Sequence, residues 1–138
     1  MSELIRFGVS IENNLLWQFD KLIQQRNYSN RSEAIRDLIR EDLIQQEWKN
    51  DEADSVGTIT IFYDHHHGDL AHILTSVQHN YSENIISTMH VHLDHQNCLE
   101  VLAVKGKTKE IKNIADKLIS MKGVKHGKLV TTTKGEHV

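Results

Sequence analysis

The 138-residue sequence contains no proline and a single cysteine, Cys98. With one thiol there can be no disulfide framework inside the chain, so its stability must come from a packed core. Without proline, the usual punctuation of turns and domain boundaries is missing, and boundaries have to be read from polarity and periodicity. No apolar run approaches the roughly 20 residues that a membrane-spanning helix needs. Residues 1–7 carry Glu3 and Arg6 and no apolar core, which predicts no secretory signal and a cytoplasmic protein. Excess positive charge is also lacking: the net charge is −3, and residues 1–50 hold seven Lys/Arg against eight Asp/Glu. Nucleic-acid binding, if present, must depend on where particular side chains point rather than on bulk charge. Histidine is absent from the first 64 residues, while all ten lie between His65 and His137, so imidazole chemistry belongs to the second part of the chain.

What is present is the balance of a soluble globular protein, with 38% hydrophobic and 25% charged residues. Residues 4–11 alternate: Ile5, Phe7, Val9 and Ile11 share one face, Arg6, Gly8 and Ser10 the other, which predicts a half-buried strand. Leu15, Leu16, Phe19, Leu22 and Ile23 form a helical stripe ending near Arg26–Asn27. Asn30 then offers an N-cap, and Glu33 three residues later can close a capping box, opening a second helix with Ala34, Ile35, Leu38, Ile39 and Leu43 on its apolar face. A single strand with two unpaired edges cannot stand alone, and so small a unit buries little area. Pairing that strand antiparallel with its copy in a second chain satisfies both demands. The segment resembles ribbon-helix-helix repressors, whose two-stranded ribbon enters the DNA major groove.

The polar residues 49–55 read as a linker between a head of residues 1–48 and a body of residues 56–138. In the body, alternating and helical patterns follow in the order βαββαβ, which predicts an α+β, ferredoxin-like domain with both helices on one face of an antiparallel sheet. Its informative stretch is Met89-His90-Val91-His92-Leu93-Asp94-His95-Gln96-Asn97-Cys98. In a strand, His90 and His92 face the same way with about 7 Å between Cα atoms. Cys98 joins that face if it pairs with His92 across a five-residue turn. A four-residue turn that pairs it with Leu93 sends the thiol to the other face. Two imidazoles and a thiolate suit zinc, copper, nickel or cobalt rather than magnesium or calcium, and a fourth position is open to His79, His95 or water. The run His65-His66-His67 reads first as a solvent-facing loop, with a weak secondary metal site as the minor alternative. Trp17 and Trp48 read as packing or interface residues.

A ribbon-helix-helix head followed by this body, with Gln78-His79 preceding His90-x-His92-x5-Cys98-Leu99-Glu100, resembles the nickel-responsive transcription regulator family, end to end. Asn30-Arg31-Ser32-Glu33-Ala34-Ile35-Arg36-Asp37 and Gly123-Val124-Lys125-His126-Gly127 carry the same resemblance. It implies an ACT-like body, one square-planar Ni(II) per subunit held by His90, His92 and Cys98 of one chain and His79 of a neighbour, and a homotetramer with two DNA-binding dimers. It also implies a double-stranded DNA operator contacted through Arg6, Gly8 and Ser10, no catalytic residues, repression of nickel uptake, and a second cation at Glu33 and Asp37. Gly8 departs from the pattern, which has a small hydroxyl residue there. The competing readings are a ribbon-helix-helix regulator of another metal or small molecule, a metal-dependent hydrolase built on the His2Cys set, and a metal-storage protein.

Overall fold

The computed structural model describes residues 3–136 and 138. The chain divides into two compact units, Met1–Glu41 and Asp42–Val138. In the first unit, residues 3–12 form no helix and no hydrogen-bonded ladder within the chain. The alternation seen in the sequence is nevertheless exposed to solvent on both faces, with Ile5 82%, Phe7 70% and Val9 63% accessible. A ladder needs a second backbone, and none of the other described residues supplies one.

Helix α1 (Asn13–Gln25) starts from Glu12 in extended conformation and ends in a Schellman turn. Asn27 takes the left-handed φ of 60° that ends the helix, and Tyr28 N–H reaches back to the Ile23 carbonyl at 3.1 Å. Helix α2 (Arg31–Lys49) begins as its sequence predicts, with Glu33 N–H donating to Asn30 Oδ1 at 2.9 Å. Only this half of the capping box forms, because the Glu33 carboxylate pairs with Arg36 one turn on. A two-pronged bond from Arg31 to Asp20, at 2.9 and 2.8 Å, ties the start of α2 to α1. Ile23 and Ala34 are buried between the two helices, whereas Leu15, Trp17, Leu22, Leu38 and Ile39 stay largely accessible.

The second unit comprises the end of α2, β1 (Asp54–Asp64), α3 (Leu70–Asn80), β2 (Ile85–His92), β3 (Asn97–Lys107), α4 (Thr108–Ile119) and β4 (Val124–Thr132). The four strands are antiparallel in the order β2-β3-β1-β4, which is the ferredoxin-like arrangement expected for βαββαβ. The polar stretch between head and body is shorter than its composition suggests. Lys49 closes α2, and Asp54 and Ser55 already pair with β3, so only residues 50–53 connect the two elements. Ser55 is recruited because its hydroxyl meets that of buried Thr108 at 2.7 Å.

Alternation in the central strands sorts the core. Ile59, Ile61 and Tyr63 of β1 and Cys98, Leu102 and Val104 of β3 are essentially inaccessible, and pack against Leu74 and Val77 of α3 and Ile111, Ile114 and Leu118 of α4. Trp48 belongs to this same core. Its ring lies over Gly57, where an added Cβ would stand 2.9 Å from the Val130 carbonyl, and its Nε1–H donates to the Thr132 carbonyl at 2.9 Å. No described helix is long and apolar enough to cross a membrane.

Candidate metal centre

Period-two geometry puts His90 and His92 of β2 on the helix-covered side of the sheet, with their ring centroids 4.6 Å apart. Whether Cys98 joins them depends on the turn. Asp94 decides it: one carboxylate oxygen accepts the backbone N–H groups of Gln96 at 2.8 Å and Asn97 at 2.7 Å, and the other takes the Asn97 amide at 3.1 Å. Those bonds, Asn97 N–H first, hold the Asp94 carboxyl below its ordinary value and fix a five-residue connection. His92 therefore pairs with Cys98 and His90 with Glu100, the register that brings the thiol onto the histidine face.

Cys98 is fully buried, and its Sγ lies 3.4 Å from His92 Nδ1. That separation suits two ligands of one ion. Metal–nitrogen and metal–sulfur bonds of about 2.0 and 2.3 Å place the two atoms roughly 3.0 Å apart at a right angle and roughly 3.5 Å apart at a tetrahedral angle. Burial pushes the Cys98 thiol above its ordinary pKa, and the negative charges of Glu100, Asp94 and Asp64 push it the same way. A cation at the site reverses that balance by stabilising the thiolate.

Behind His90 stands a chain of hydrogen bonds. His90 Nδ1 lies 3.1 Å from Glu100 Oε1, with the Tyr63 hydroxyl at 3.3 Å. A carboxylate only accepts, so the facing Nδ1 carries the proton and Nε2 keeps its lone pair for a metal. Gln78 Nε2–H donates to Glu100 Oε2 at 3.1 Å, and the Thr88 hydroxyl donates to Gln78 Oε1 at 3.2 Å. Burial raises the pKa of Tyr63, which keeps its phenol a hydrogen-bonding group and not an anion. Glu100 is only 8% accessible, and its carboxylate orients the His90 ring and fixes its tautomer. Glu100→Ala is therefore expected to weaken metal binding by about 10- to 100-fold, as measured by chelator competition, although His90 is still present as a ligand.

His79, next to Gln78 near the end of α3, is exposed and stands outside this cluster. Among the described residues, the group whose ligating atoms all lie within 4.8 Å of one another is His65, His92 and Cys98. His66 and His67 are exposed, as a solvent-facing loop predicts, but His65 is half-buried and stacks edge-on against His92 at 5.4 Å. The sequence signal for this was indirect. Asp64 pairs with Asn97, so the residue after it must fall beside the β2–β3 turn. His95, in that turn, is exposed and offers its carbonyl to His66 Nε2 at 2.7 Å.

In the first unit, Arg6, Gly8 and Ser10 are all exposed, and a Cβ added at Gly8 would meet nothing within 4 Å. The Glu33 carboxylate holds Arg36. Asp37 accepts from the Tyr28 hydroxyl at 2.7 Å and from Arg40 at 3.0 Å. The Tyr28 bond is the main reason that the Asp37 carboxyl sits below its usual value.

Comparison with known proteins covers both units. The family described as "NikR C terminal nickel binding domain" matches residues 56–132, and "Ribbon-helix-helix protein, copG family" matches residues 2–46. A protein of Geotalea uraniireducens is 59% identical over 138 residues, covering 100% of this chain and 99% of its own. One from Geobacter metallireducens is 56% identical over 138 residues, with 100% and 99% covered. One from Caldanaerobacter subterraneus subsp. tengcongensis is 55% identical over 135 residues, with 98% and 88% covered. All three carry the name "Putative nickel-responsive regulator". With a buried thiol and two imidazoles on one sheet face of its second unit, and both domains matched, this chain belongs to the nickel-responsive regulator family.

Proposed function

We propose that this regulator represses nickel uptake in the cytoplasm. In this reading it is a homotetramer that binds one Ni(II) per subunit and retains operator DNA when loaded. DNA binding and nickel binding follow from its two matched domains, and the family is one of transcription regulators, not enzymes. The observation that carries the finer reading is the register that seats Cys98 opposite His92 with His90 alongside. His90, His92 and Cys98 of one chain hold the ion, and His79 of a neighbouring chain completes the set. Two facts support a donor from outside. His79 is exposed, and its neighbour Gln78 is bonded through Glu100 to His90, so the α3 end and the β2 ligands are mechanically linked. The edge strand β2 also leaves Ile86 and Met89 more than half accessible, a surface suited to a second subunit.

Bound nickel would supply a divalent Lewis acid, held by His90, His92 and Cys98 of one chain and His79 of a neighbour. What the chain's own residues do is fix the interface. Once His79 of one body is tied to the β2 face of another, the relative placement of the heads is restricted. DNA binding improves only to the extent that the restricted arrangement is the DNA-competent one. In the head, the exposed apolar row Ile5, Phe7 and Val9 is the surface that two copies would bury when their residues 4–11 pair as a ribbon. Arg6, Gly8 and Ser10 then face the groove. The reading needs no cation at Glu33 and Asp37, whose carboxylates already hold Arg36 and Arg40.

The test is operator retardation across a nickel titration of the full chain. Retention that appears with nickel at one ion per subunit supports the reading, and retention indifferent to nickel defeats it. Arg6→Ala should reduce specific operator affinity by about 5- to 150-fold, the worth of one bidentate guanine contact of about 1–3 kcal/mol. Nickel affinity should be unchanged in that variant. Equal losses on operator and random DNA would instead make Arg6 a phosphate contact.

A further inference from the structure

The geometry points to Lys125 as a positioning residue for nickel binding, which holds the β2–β3 turn in the shape that seats Cys98 beside His92. It rests on the reading of His92 and Cys98 as ligands, and adds to them a residue from the opposite edge strand of the sheet. Lys125 touches neither ligand. It works from the other face, through Asn97.

An irregularity in strand pairing puts it there. β4 runs in register with β1 from Val56↔Thr132 to Phe62↔His126, and then Tyr63 meets Val124. Lys125 is the extra residue of that bulge. In an unbroken ladder it would pair with Tyr63 and share the side of the sheet on which Tyr63 is buried. The bulge releases the side chain instead. Its ammonium stands 5.8 Å from the centre of the Phe62 ring, on the face that alternates with buried Ile61 and Tyr63.

From there Lys125 crosses β1 and reaches the first residue of β3. Its Nζ donates to Asn97 Oδ1 at 2.9 Å. Asn97 immediately precedes Cys98, pairs with Asp64 of β1, and is the hub of the turn. Its carbonyl accepts the N–H groups of Leu93 at 3.0 Å and Asp94 at 3.4 Å. Its own N–H and its side-chain amide donate to the Asp94 carboxylate at 2.7 and 3.1 Å. An asparagine side chain has an accepting and a donating end, and an ammonium can hold only the oxygen. Lys125 therefore fixes the orientation in which Nδ2 points at Asp94. Without the ammonium the amide is free to turn, and one of the three bonds that Asp94 receives in this turn loses its hold. A turn that samples other shapes keeps the thiol beside His92 for a smaller fraction of the time, and apparent metal affinity falls by that fraction.

Full-length wild type, Lys125→Met, Lys125→Arg, Asn97→Ala and the Lys125→Met/Asn97→Ala double variant are titrated with nickel against a chromophoric chelator. Lys125→Met keeps an unbranched stem over Phe62 and removes the charge and the donor. It is expected to lose about 3- to 10-fold in nickel affinity, the scale of one hydrogen bond, while its apo form still melts cooperatively. Lys125→Arg, which keeps both charge and donors, should restore the affinity. In the Asn97→Ala background the Lys125→Met change should cost less than about twofold, because the two residues act as one unit. Lys128→Met removes the same charge from β4 at the position paired with Thr60, away from the turn, and should also change affinity by less than about twofold. Unchanged affinity in Lys125→Met, no rescue by arginine, additive losses with Asn97→Ala or an equal loss in Lys128→Met each overturn the inference. So does an apo Lys125→Met that no longer melts cooperatively, since the lysine would then be holding the fold. Cys98→Ala separates the two levels. If it keeps wild-type nickel affinity, the nickel set fails and the role of Lys125 with it; if it loses nickel while Lys125→Met does not, only the role of Lys125 fails.

Discussion

Replacing Cys98 by alanine is expected to lower nickel affinity by about two to three orders of magnitude and to abolish nickel-dependent operator retention. The size follows from one donor's share of a four-ligand site, taking about 10–16 kcal/mol as the scale of binding for such ions. The apo protein should survive the change, because the side chain removed is small, and a gap of that size costs about 1 kcal/mol. Melting of the metal-free variant checks this, and nickel titration by calorimetry checks the loss. Affinity near that of the unaltered chain would mean that the thiol beside His92 is only a packed core residue.

The same thiol predicts a pH dependence. Cys98 is buried among carboxylates, so its proton is held above the ordinary thiol range and must leave when the metal binds. Proton and metal compete for one sulfur. Apparent affinity should accordingly rise about tenfold per pH unit on the acid side of the thiol's own titration, through neutrality, from this group alone. Raising the thiol pKa extends that slope to higher pH. In Cys98→Ala the slope should drop by one proton, which separates the sulfur's contribution from that of the imidazoles.

The second large effect is on folding. Trp48→Ala should destabilise the second unit by about 3–5 kcal/mol, the usual cost of truncating a buried aromatic. Trp48 is 4% accessible at the end of α2, and its indole N–H satisfies the carbonyl of Thr132 at the end of β4. Truncation leaves a cavity over Gly57 and removes the hydrogen bond to the Thr132 carbonyl. Against a total stability of about 5–15 kcal/mol, this is a large fraction. Urea or thermal unfolding followed by circular dichroism measures it, and a loss below about 1 kcal/mol would show that the site collapses without cost. Gly57→Ala offers a comparison from the other side of the contact, since the new methyl meets the Val130 carbonyl at 2.9 Å.

The order of elements was legible because period two and period 3.6 are local properties. Ile59, Ile61 and Tyr63 on β1, and Ile111, Ile114 and Leu118 on α4, declare their buried faces without reference to anything distant. The Asn30 cap was legible for the same reason, since donor and acceptor are three residues apart. Its reciprocal half failed because Glu33 had a charged competitor in Arg36, and the choice between two nearby partners is not written in spacing. The strand at residues 4–11 shows the opposite limit. Its alternation is plain, yet a ladder requires a partner backbone that the sequence of one chain does not contain.

At the candidate site, sequence alone placed His90 and His92 on one face of a strand and named Cys98 as their companion under one of two registers. The hydrogen bonds of Asp94 chose between those registers, and a change of one residue in that turn would have sent the thiol to the opposite face. Tertiary structure alone put Glu100, Gln78 and Tyr63 behind His90 and brought His65 to His92 and Cys98 across 27 and 33 positions of sequence. Periodicity fixes which way a side chain points. Only the pairing of strands fixes what it meets there.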